Sequence, residues 1–312
     1  MILAGIDEAG LGPTLGPLAT ASAALEAPDG WLADSPWDAL ADAVCRAWKK
    51  GEPRAVVADS KVLYTTGGLA ALELTVGAFS LLVRGGEALG PELFVAEAGG
   101  DGLHPCYSCA LDPFPAHCGE DSVRAAAESL RRSLAAIGAA AAHLRADLLY
   151  EPPLNSRYAR GLNKNAVLLM ETGRHLALLV DRFASRGLTV VVDKQGGRNS
   201  YLPFLVGLFP GDWIEEVEAG AECSRYRIRR GRNVVEVAFR AKGDRVSFAT
   251  ALASLAAKYA RERAMAELNR WFCARFPELK ATAGYPQDAK RWLADVRAMG
   301  GHESLTLIIR ER

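Results

Sequence analysis

The stretch LTVVVD at positions 188–193 constrains the fold more than any other part of the chain. It is a continuous run of apolar and β-branched residues, which is typical of a strand buried on both faces. The residues before it, 165–187, have the spacing of an amphipathic helix and end at a glycine. A second apolar run, MILAGID, opens the sequence. A short strand is also expected at 146–155, ahead of that helix, and the order strand, helix and strand predicts an α/β fold.

Other segments also carry patterns of helices and strands. Residues 17–27 favour a second strand, and residues 59–86 have helical periodicity that Gly67 and Gly68 interrupt. The alanine-rich stretch 120–145 favours one continuous helix, because alanine has the highest helix propensity. We expect a short strand at 146–155, ended by two prolines, and a loop-like insertion from Glu87 to Glu120.

The second half of the chain adds a hairpin and a long helix. Residues 224–244 read as two alternating runs joined at Gly231, and residues 246–272 have helical spacing. Within that helix, one predicted buried face carries Phe248, Leu252, Leu255 and Tyr259.

Charge and composition limit the possible partners and the location. The chain has 37 basic and 37 acidic residues, so a nucleic-acid partner requires a local basic patch. Its start has no basic leader, and nothing further along supplies about 18 consecutive apolar residues for a membrane span. We therefore expect a cytoplasmic monomer with no membrane partner. In that compartment the six cysteines are expected to be reduced or metal-bound.

Carboxylates mark the ends of three apolar runs: Asp7 with Glu8, Asp193, and Asp244. Ligand sites in open α/β sheets form at the carboxyl ends of strands. Acids that converge there repel one another unless a cation is bound, and oxygen ligands suit Mg²⁺ or Mn²⁺. Adjacent strand residues point to opposite faces, so Asp7 and Glu8 are expected to share an ion only if the strand ends between them. Ordinary strand-end charges are the alternative.

Five sequence blocks, in order, resemble the motifs of type 2 ribonucleases H. GIDEAGLGPTLGPL at 5–18 is similar to the family's N-terminal pattern, which has arginine where Leu11 stands here. The other blocks are DSKVL at 59–63, LTVVVD at 188–193, AKGDRVSFATALASLAAKYARERAM at 241–265, and GYPQDAK at 284–290.

The resemblance implies an α/β, ribonuclease H-like fold with a mixed central sheet flanked by helices. The chain is then a single domain over 1–312, with insertions at about 64–145 and 205–240 and a helical C-terminal part at about 265–312.

The resemblance also implies an endonuclease, a phosphodiester hydrolase that acts in DNA replication and repair. Family members cut the RNA strand of RNA–DNA hybrids or nick at ribonucleotides embedded in DNA, using two Mg²⁺ or Mn²⁺ ions and leaving 5′-phosphate and 3′-hydroxyl ends. The implied catalytic and metal ligands are Asp7, Glu8, Asp193 and Asp244. A nuclease with an altered substrate, or a nucleic-acid binding protein with a vestigial catalytic centre, are the alternatives.

The substrate-binding residues are likewise implied by the resemblance. Gly10, Leu11 and Gly12 match the backbone turn that contacts the 2′-hydroxyl, which distinguishes RNA from DNA. Tyr285 matches a tyrosine that packs on the sugar. Lys61 and Lys258 match lysines that face phosphates.

Two inserted segments carry further candidates. Arg225, Arg227 and Arg229 alternate along a strand and share one face, which is either a phosphate-binding strip or a solvated face. A Cys-x-x-Cys pair with a later His and Cys is either a structural zinc site or a set of ordinary loop residues. Its candidate ligands are Cys106, Cys109, His117 and Cys118.

Overall fold

A computed structural model describes residues 1–85, 94–97, 102–107 and 114–311. Within these residues the strands are β1 (Ile2–Ala9), β2 (Leu18–Glu26), β3 (Val44–Cys45), β4 (Ala55–Val56), β5 (Phe94–Glu97), β6 (Ala140–Leu149), β7 (Leu188–Asp193), β8 (Trp213–Ala219), β9 (Cys223–Arg230) and β10 (Asn233–Arg240). The helices are α1 (Ser35–Ala39), α2 (Ser60–Val83), α3 (Glu120–Ala136), α4 (Glu151–Ala159), α5 (Lys164–Phe183), α6 (Leu202–Leu208), α7 (Gly243–Val246), α8 (Phe248–Arg275) and α9 (Pro286–Ala298).

Eight of the described strands form one mixed sheet in the order β5-β6-β2-β1-β7-β10-β9-β8. The strand β2 pairs antiparallel with both β6 and β1, and the edge strand β5 pairs parallel with β6. The strands β1, β7 and β10 are mutually parallel. The hairpin β9–β10 and the edge strand β8 complete the sheet in antiparallel order. The predicted mixed central sheet is confirmed, and its three parallel strands end at the same edge.

Helices cover both faces of this sheet, as the predicted fold class requires. On one face, α8 packs against β1 and β2, and α2 and α3 extend the same core. On the other face, α5 and α6 contribute to a second core beneath β7, β9 and β10. The long helix α8 is buried on nearly all sides, including Arg261 and Glu262, so its burial exceeds the single apolar face expected from sequence.

The stretch 120–145 is not one helix, and this expectation is wrong. The helix α3 ends at Ala136, Gly138 adopts a positive φ of 67°, and Ala140 begins the strand β6. Pairing with β2 along the whole of β6 overrides the helix propensity of its alanines. The predicted short strand at 146–155 is only the end of β6, because two prolines at 152–153 open α4, where proline is tolerated.

The helix α2 is long and apolar enough to cross a bilayer by length and composition, with a mean hydropathy of 1.6 over its most apolar window. Within the protein 61% of that window is buried, as expected of a core helix. Gly68 departs from helical geometry, so α2 is two helical segments joined at a kink, where the sequence predicted an interruption.

The range 205–240, which was predicted to be an insertion, supplies β8, β9 and β10. Since β10 pairs with β7, this range also contributes to the centre of the sheet. Its status as an insertion stays a prediction.

Gly5 permits the close contact between β1 and α8. A Cβ at Gly5 would lie 2.1 Å from Thr250 N and 2.3 Å from Ala249 C. Thr250 also donates its hydroxyl to Val191 O at 2.8 Å, which ties α8 to β7. The absence of a side chain at Gly5 therefore sets how closely the long helix approaches the strand that ends in Asp7 and Glu8.

Replacing Gly5 by alanine is expected to lower the free energy of unfolding by about 3 kcal/mol or more, because the added methyl meets backbone that cannot rotate away. Gly207→Ala is the matched control: Gly207 is exposed in α6 and a Cβ there meets open space. Chemical denaturation of both variants measures the difference. Equal stabilities would contradict the contact.

Two buried histidines connect β2, β6 and α5. The Ser22 hydroxyl is 2.9 Å from His143 Nε2 and 2.8 Å from His175 Nδ1. Burial, reinforced by Arg182, lowers the pKa of His143 to about 3. Burial also lowers the pKa of His175 to about 4, although Asp147 opposes the shift. Both rings are therefore neutral in the folded protein at neutral pH.

The contribution of the two histidines to stability is expected to fall as the pH drops below about 6.5, because the unfolded histidines then bind protons that the folded ones exclude. Each histidine contributes at most about 1.4 kcal/mol per pH unit. His143→Gln should reduce this slope between pH 6.5 and 4.5, as measured by urea denaturation at several pH values. An unchanged slope would show that His143 protonates freely in the folded state.

Candidate active site

Three carboxylates converge where β1 and β7 end. Each of Asp7, Glu8 and Asp193 offers an oxygen, and these atoms all lie within 4.8 Å of one another. The pairing of β1 with β7 stops at Ile6 and Val192, whereas the pairing of β1 with β2 continues to Ala9. The expectation that the strand must end between Asp7 and Glu8 is wrong. Both residues belong to β1 but lie beyond its parallel ladder.

Local hydrogen bonds fix two of these side chains. Asp7 Oδ1 accepts from the backbone N–H of Glu8 at 2.7 Å, and Asp193 Oδ1 accepts from Gly243 N at 2.7 Å. Lys242 has a left-handed φ of 55° immediately before that glycine. The sharp turn after β10 therefore brings the start of α7 against Asp193.

Asp244 lies in α7 and lines the same cleft as the three carboxylates. It is not part of the close group formed by Asp7, Glu8 and Asp193 among the described residues. Its electrostatic influence still reaches the group, since its charge raises the pKa of Asp193.

Burial and mutual repulsion raise the pKa values of these acids. Burial, followed by repulsion from Glu8 and Asp193, raises the pKa of Asp7 well above its ordinary value. Burial and Asp193 raise the pKa of Glu8 to about 7, although the Lys61 charge opposes the shift. Burial raises the pKa of Asp193 to about 6. A divalent cation would relieve this repulsion, and a group of carboxylate oxygens suits Mg²⁺ or Mn²⁺.

The acids form the floor of a cleft of about 390 Å³. Cationic side chains stand around them: Lys61, Lys242, Arg245 and Lys258. The Arg245 guanidinium lies 3.6 Å from Asp59, which also lines the cleft. Lys258 Nζ lies 2.7 Å from Glu262 and 4.6 Å from the Tyr64 ring centroid, so much of its charge is compensated within the protein. An acidic floor with a basic rim complements a phosphodiester that carries metal ions.

Residues 10–16 after β1 form a turn that we call the glycine turn. Its residues Gly10, Leu11, Gly12 and Pro13 line the cleft. Gly10 has a positive φ of 87°, which favours glycine. Leu11, in place of the arginine of the resembled motif, packs against a small apolar cluster that contains Leu18, Leu149, Leu154 and Val167. This packing accounts for an apolar residue at position 11.

Tyr285 lines the same cleft and is 45% exposed. Arg261 packs close to both Gly10 and Tyr285. Its Cδ would lie 2.6 Å from a Cβ at Gly10, and its Cζ is 5.5 Å from the Tyr285 ring centroid. The sequence interpretation missed this supporting residue, although the basic-acidic pair Arg261–Glu262 lies within a quoted motif.

The three hairpin arginines lie on the open face of β9 but are matched with acids. Arg225 lies 2.8 Å from Glu218, Arg227 lies 3.4 Å from Glu236, and Arg229 lies 3.9 Å from Glu215. These ion pairs favour the solvated-face interpretation. Phosphate binding here stays a prediction.

The predicted zinc ligands do not form a metal-binding group within the described part of the chain. Cys109 lies outside the described residues, so the zinc site stays a prediction. The backbone N–H groups of His117 and Cys118 instead donate to Glu73 Oε2, at 2.6 and 2.8 Å. Buried Cys106 donates its N–H to His104 Nδ1 at 3.1 Å. The carboxylate of Glu73 therefore holds part of this loop.

A divalent ion is expected to stabilise the protein, because it binds the folded carboxylate group and not the unfolded chain. At 100 times the dissociation constant of Mn²⁺, the free energy of unfolding should rise by about 2.7 kcal/mol. Asp193→Asn should abolish this response and, in EDTA, should be more stable than the parent because one repelling charge is gone.

Asp42→Asn is the matched control, since Asp42 is exposed and does not line the cleft. Thermal melts with Mn²⁺, Mg²⁺ and EDTA measure both effects. An equal response of the Asp193→Asn variant would place the ion elsewhere.

No protein-family model and no curated protein matches the sequence. Several solved structures are similar to the chain. Bst-RNase HIII in complex with Mn²⁺ has 19% identity and a TM-score of 0.46, over 99% of this chain and 66% of that one. The RNase HII of Archaeoglobus fulgidus, in complex with PCNA, has 18% identity and a TM-score of 0.46, over 100% and 95% of the two chains. The ribonuclease H2 of Pyrococcus horikoshii OT3 has 16% identity and a TM-score of 0.42, over 96% and 89%.

The chain thus spans slightly less than two thirds of the length of the RNase HIII protein. All three TM-scores are below 0.5. The structures to which the chain is similar are ribonucleases HII, H2 and HIII, the group that the sequence motifs resemble.

Proposed function

We propose that the chain is a metal-dependent endonuclease that hydrolyses the RNA strand of RNA–DNA hybrids or nicks at ribonucleotides embedded in DNA. The convergence of Asp7, Glu8 and Asp193 carries this proposal. Buried and half-buried acids that repel one another are costly unless a cation joins them. Their position at the ends of parallel strands, inside an open cleft, makes the cation accessible to a substrate.

Asp7, Glu8 and Asp193 would hold the ions, with Asp244 at the side of the cleft completing the acidic set. Divalent ions bound here supply the positive charge that activates a water molecule and stabilises the leaving oxygen in phosphodiester hydrolysis. Neither a serine nor a cysteine nucleophile is required. The protein's own contribution is to orient the acids and to hold the scissile phosphate over them.

Cations on the rim of the cleft support phosphate binding. Lys61, Lys242 and Arg245 lie around the acids and would neutralise the flanking phosphates of a bound strand. Since the chain as a whole has no net charge, this local arrangement supplies the basic patch that nucleic-acid binding requires.

The cleft wall supports recognition of ribose. Telling RNA from DNA requires a contact to the 2′-hydroxyl, and the backbone of the glycine turn can approach a sugar closely at Gly12, where a Cβ would meet open space. The exposed ring of Tyr285 offers an apolar surface against the same sugar. The motif resemblance assigns the same roles to these residues. A cytoplasmic site of action belongs to the same proposal.

Cleavage of three labelled duplexes tests the proposal: an RNA–DNA hybrid, a DNA duplex with one ribonucleotide, and an all-DNA duplex. We expect Mn²⁺- or Mg²⁺-dependent cleavage of one or both RNA-containing duplexes, no cleavage in EDTA, and products with 3′-hydroxyl ends. Asp193→Asn should lower the rate at least 100-fold while the fold persists, and Asp42→Asn should leave the rate unchanged.

Cleavage of the all-DNA duplex at an equal rate would indicate a nuclease with a different substrate. Tight binding of the hybrid without cleavage in any metal would indicate a binding protein. Normal cleavage by the Asp193→Asn variant would overturn the assignment of the metal ligands.

A further inference from the structure

The glycine turn at 10–16 is held by Arg310, which is almost 300 positions away in sequence. Arg310 Nε donates to Gly16 O at 2.7 Å, and its Nη1 donates to Gly10 O at 2.6 Å. The backbone N–H of Arg310 donates to Thr14 O at 2.9 Å. One residue therefore binds both ends and the middle of the turn, and its side chain is only 4% exposed.

Glu151 holds the same turn together with Arg310. Its Oε1 accepts from Gly16 N at 2.7 Å and from the Tyr107 hydroxyl at 3.0 Å, and its side chain is fully buried. Burial lowers the pKa of Arg310 to about 10 and raises that of Glu151 to about 7, while each charge opposes the shift of the other. The two buried charges attract one another without a direct hydrogen bond, so removing either one leaves the other less compensated.

The chain on either side of Arg310 is also anchored. Ile309 forms a β-bridge with Leu15, and Asn155 Nδ2 donates to Ile309 O at 2.8 Å. Gly284 O accepts from Thr14 N at 2.7 Å, so the turn is bonded to the residue that precedes Tyr285. The turn and the Tyr285 loop, both of which line the cleft, are thus connected directly.

The turn needs such support because glycine is conformationally permissive. Gly10 and Gly16 have positive φ angles of 87° and 84°. Glycine visits many other backbone conformations at little cost, so fixing the turn requires bonds from outside it. The planar fork of an arginine suits two carbonyl groups that point toward one position.

We propose that Arg310 is a positioning residue that fixes the glycine turn in the shape that prefers RNA-containing duplexes over all-DNA duplexes. This inference rests on the proposed function, because it assigns the turn a role in recognising the substrate. Arg310 does not line the cleft among the described residues. It acts through the carbonyl groups of Gly10 and Gly16.

Arg310→Lys is the main test variant, since lysine keeps the charge beside Glu151 but lacks the fork that reaches both carbonyls. Arg297→Lys is its matched control, because Arg297 is exposed at the end of α9. Hydrogen exchange should accelerate at least tenfold in residues 10–17 of the Arg310→Lys variant and remain unchanged in residues 2–7. Unchanged exchange in the turn overturns the proposal.

Duplex affinity supplies the second measurement, made in the Asp193→Asn background so that cleavage does not interfere. Arg310→Lys should reduce the preference for the RNA–DNA hybrid over the all-DNA duplex at least fivefold, and Arg297→Lys should change it less than twofold. Mn²⁺ affinity, measured by calorimetry without the Asp193→Asn change, should stay within twofold of the parent. If Arg310→Lys exchanges faster in the turn but keeps the parent's preference for the hybrid, the proposal is overturned. A loss of Mn²⁺ affinity as large as the loss of preference also overturns it, because both results indicate a general structural role.

Glu151→Gln provides an independent variant if Arg310→Lys does not fold, since glutamine keeps an acceptor for Gly16 N while removing the counter-charge. Glu151→Gln should accelerate hydrogen exchange in the turn and reduce the preference for the hybrid, as Arg310→Lys does. If neither quantity changes, the result contradicts the proposal. A parent protein that neither prefers nor cleaves the hybrid overturns the proposed function instead. The exchange result then still decides whether Arg310 fixes the turn.

Discussion

The fold brings together three carboxylates that repel one another, one buried and two half-buried. Asp7, Glu8 and Asp193 would separate in an unrestrained chain, yet the ladders of β1 with β7 and of β7 with β10 bring the strand ends together. Gly5 lets α8 approach β1, and Thr250 ties the helix to β7. The sheet and the cores therefore contribute stability that offsets the repulsion among these carboxylates. Such local destabilisation is common at functional sites.

Much of the fold was predictable from local patterns. LTVVVD reads as a buried strand because it is apolar throughout, and the helix before it has clear periodicity and a glycine stop. The alanine-rich segment after α3 was not predictable, because alanine favours a helix locally and only pairing with β2 makes residues 140–149 a strand. The order of the strands likewise depends on contacts between distant parts of the chain, and a periodicity argument does not contain them.

Some residues of the candidate site were also predictable from the sequence, and others were not. The acids were found because they end apolar runs, and the glycine turn was found because its motif resembles a known one. Arg261, Glu151 and Arg310 were not found, since they are buried charges whose partners lie up to 300 positions away. The hairpin arginines show the converse: their shared face was correct, but the glutamates that neutralise them come from neighbouring strands.

We propose that Asp7, Glu8 and Asp193 hold divalent ions. A crystal soaked in Mn²⁺ and measured for anomalous scattering tests it most directly. We expect one or two strong peaks within coordination distance of these three carboxylates. Peaks confined to other parts of the surface, with the three side chains unliganded, would contradict it.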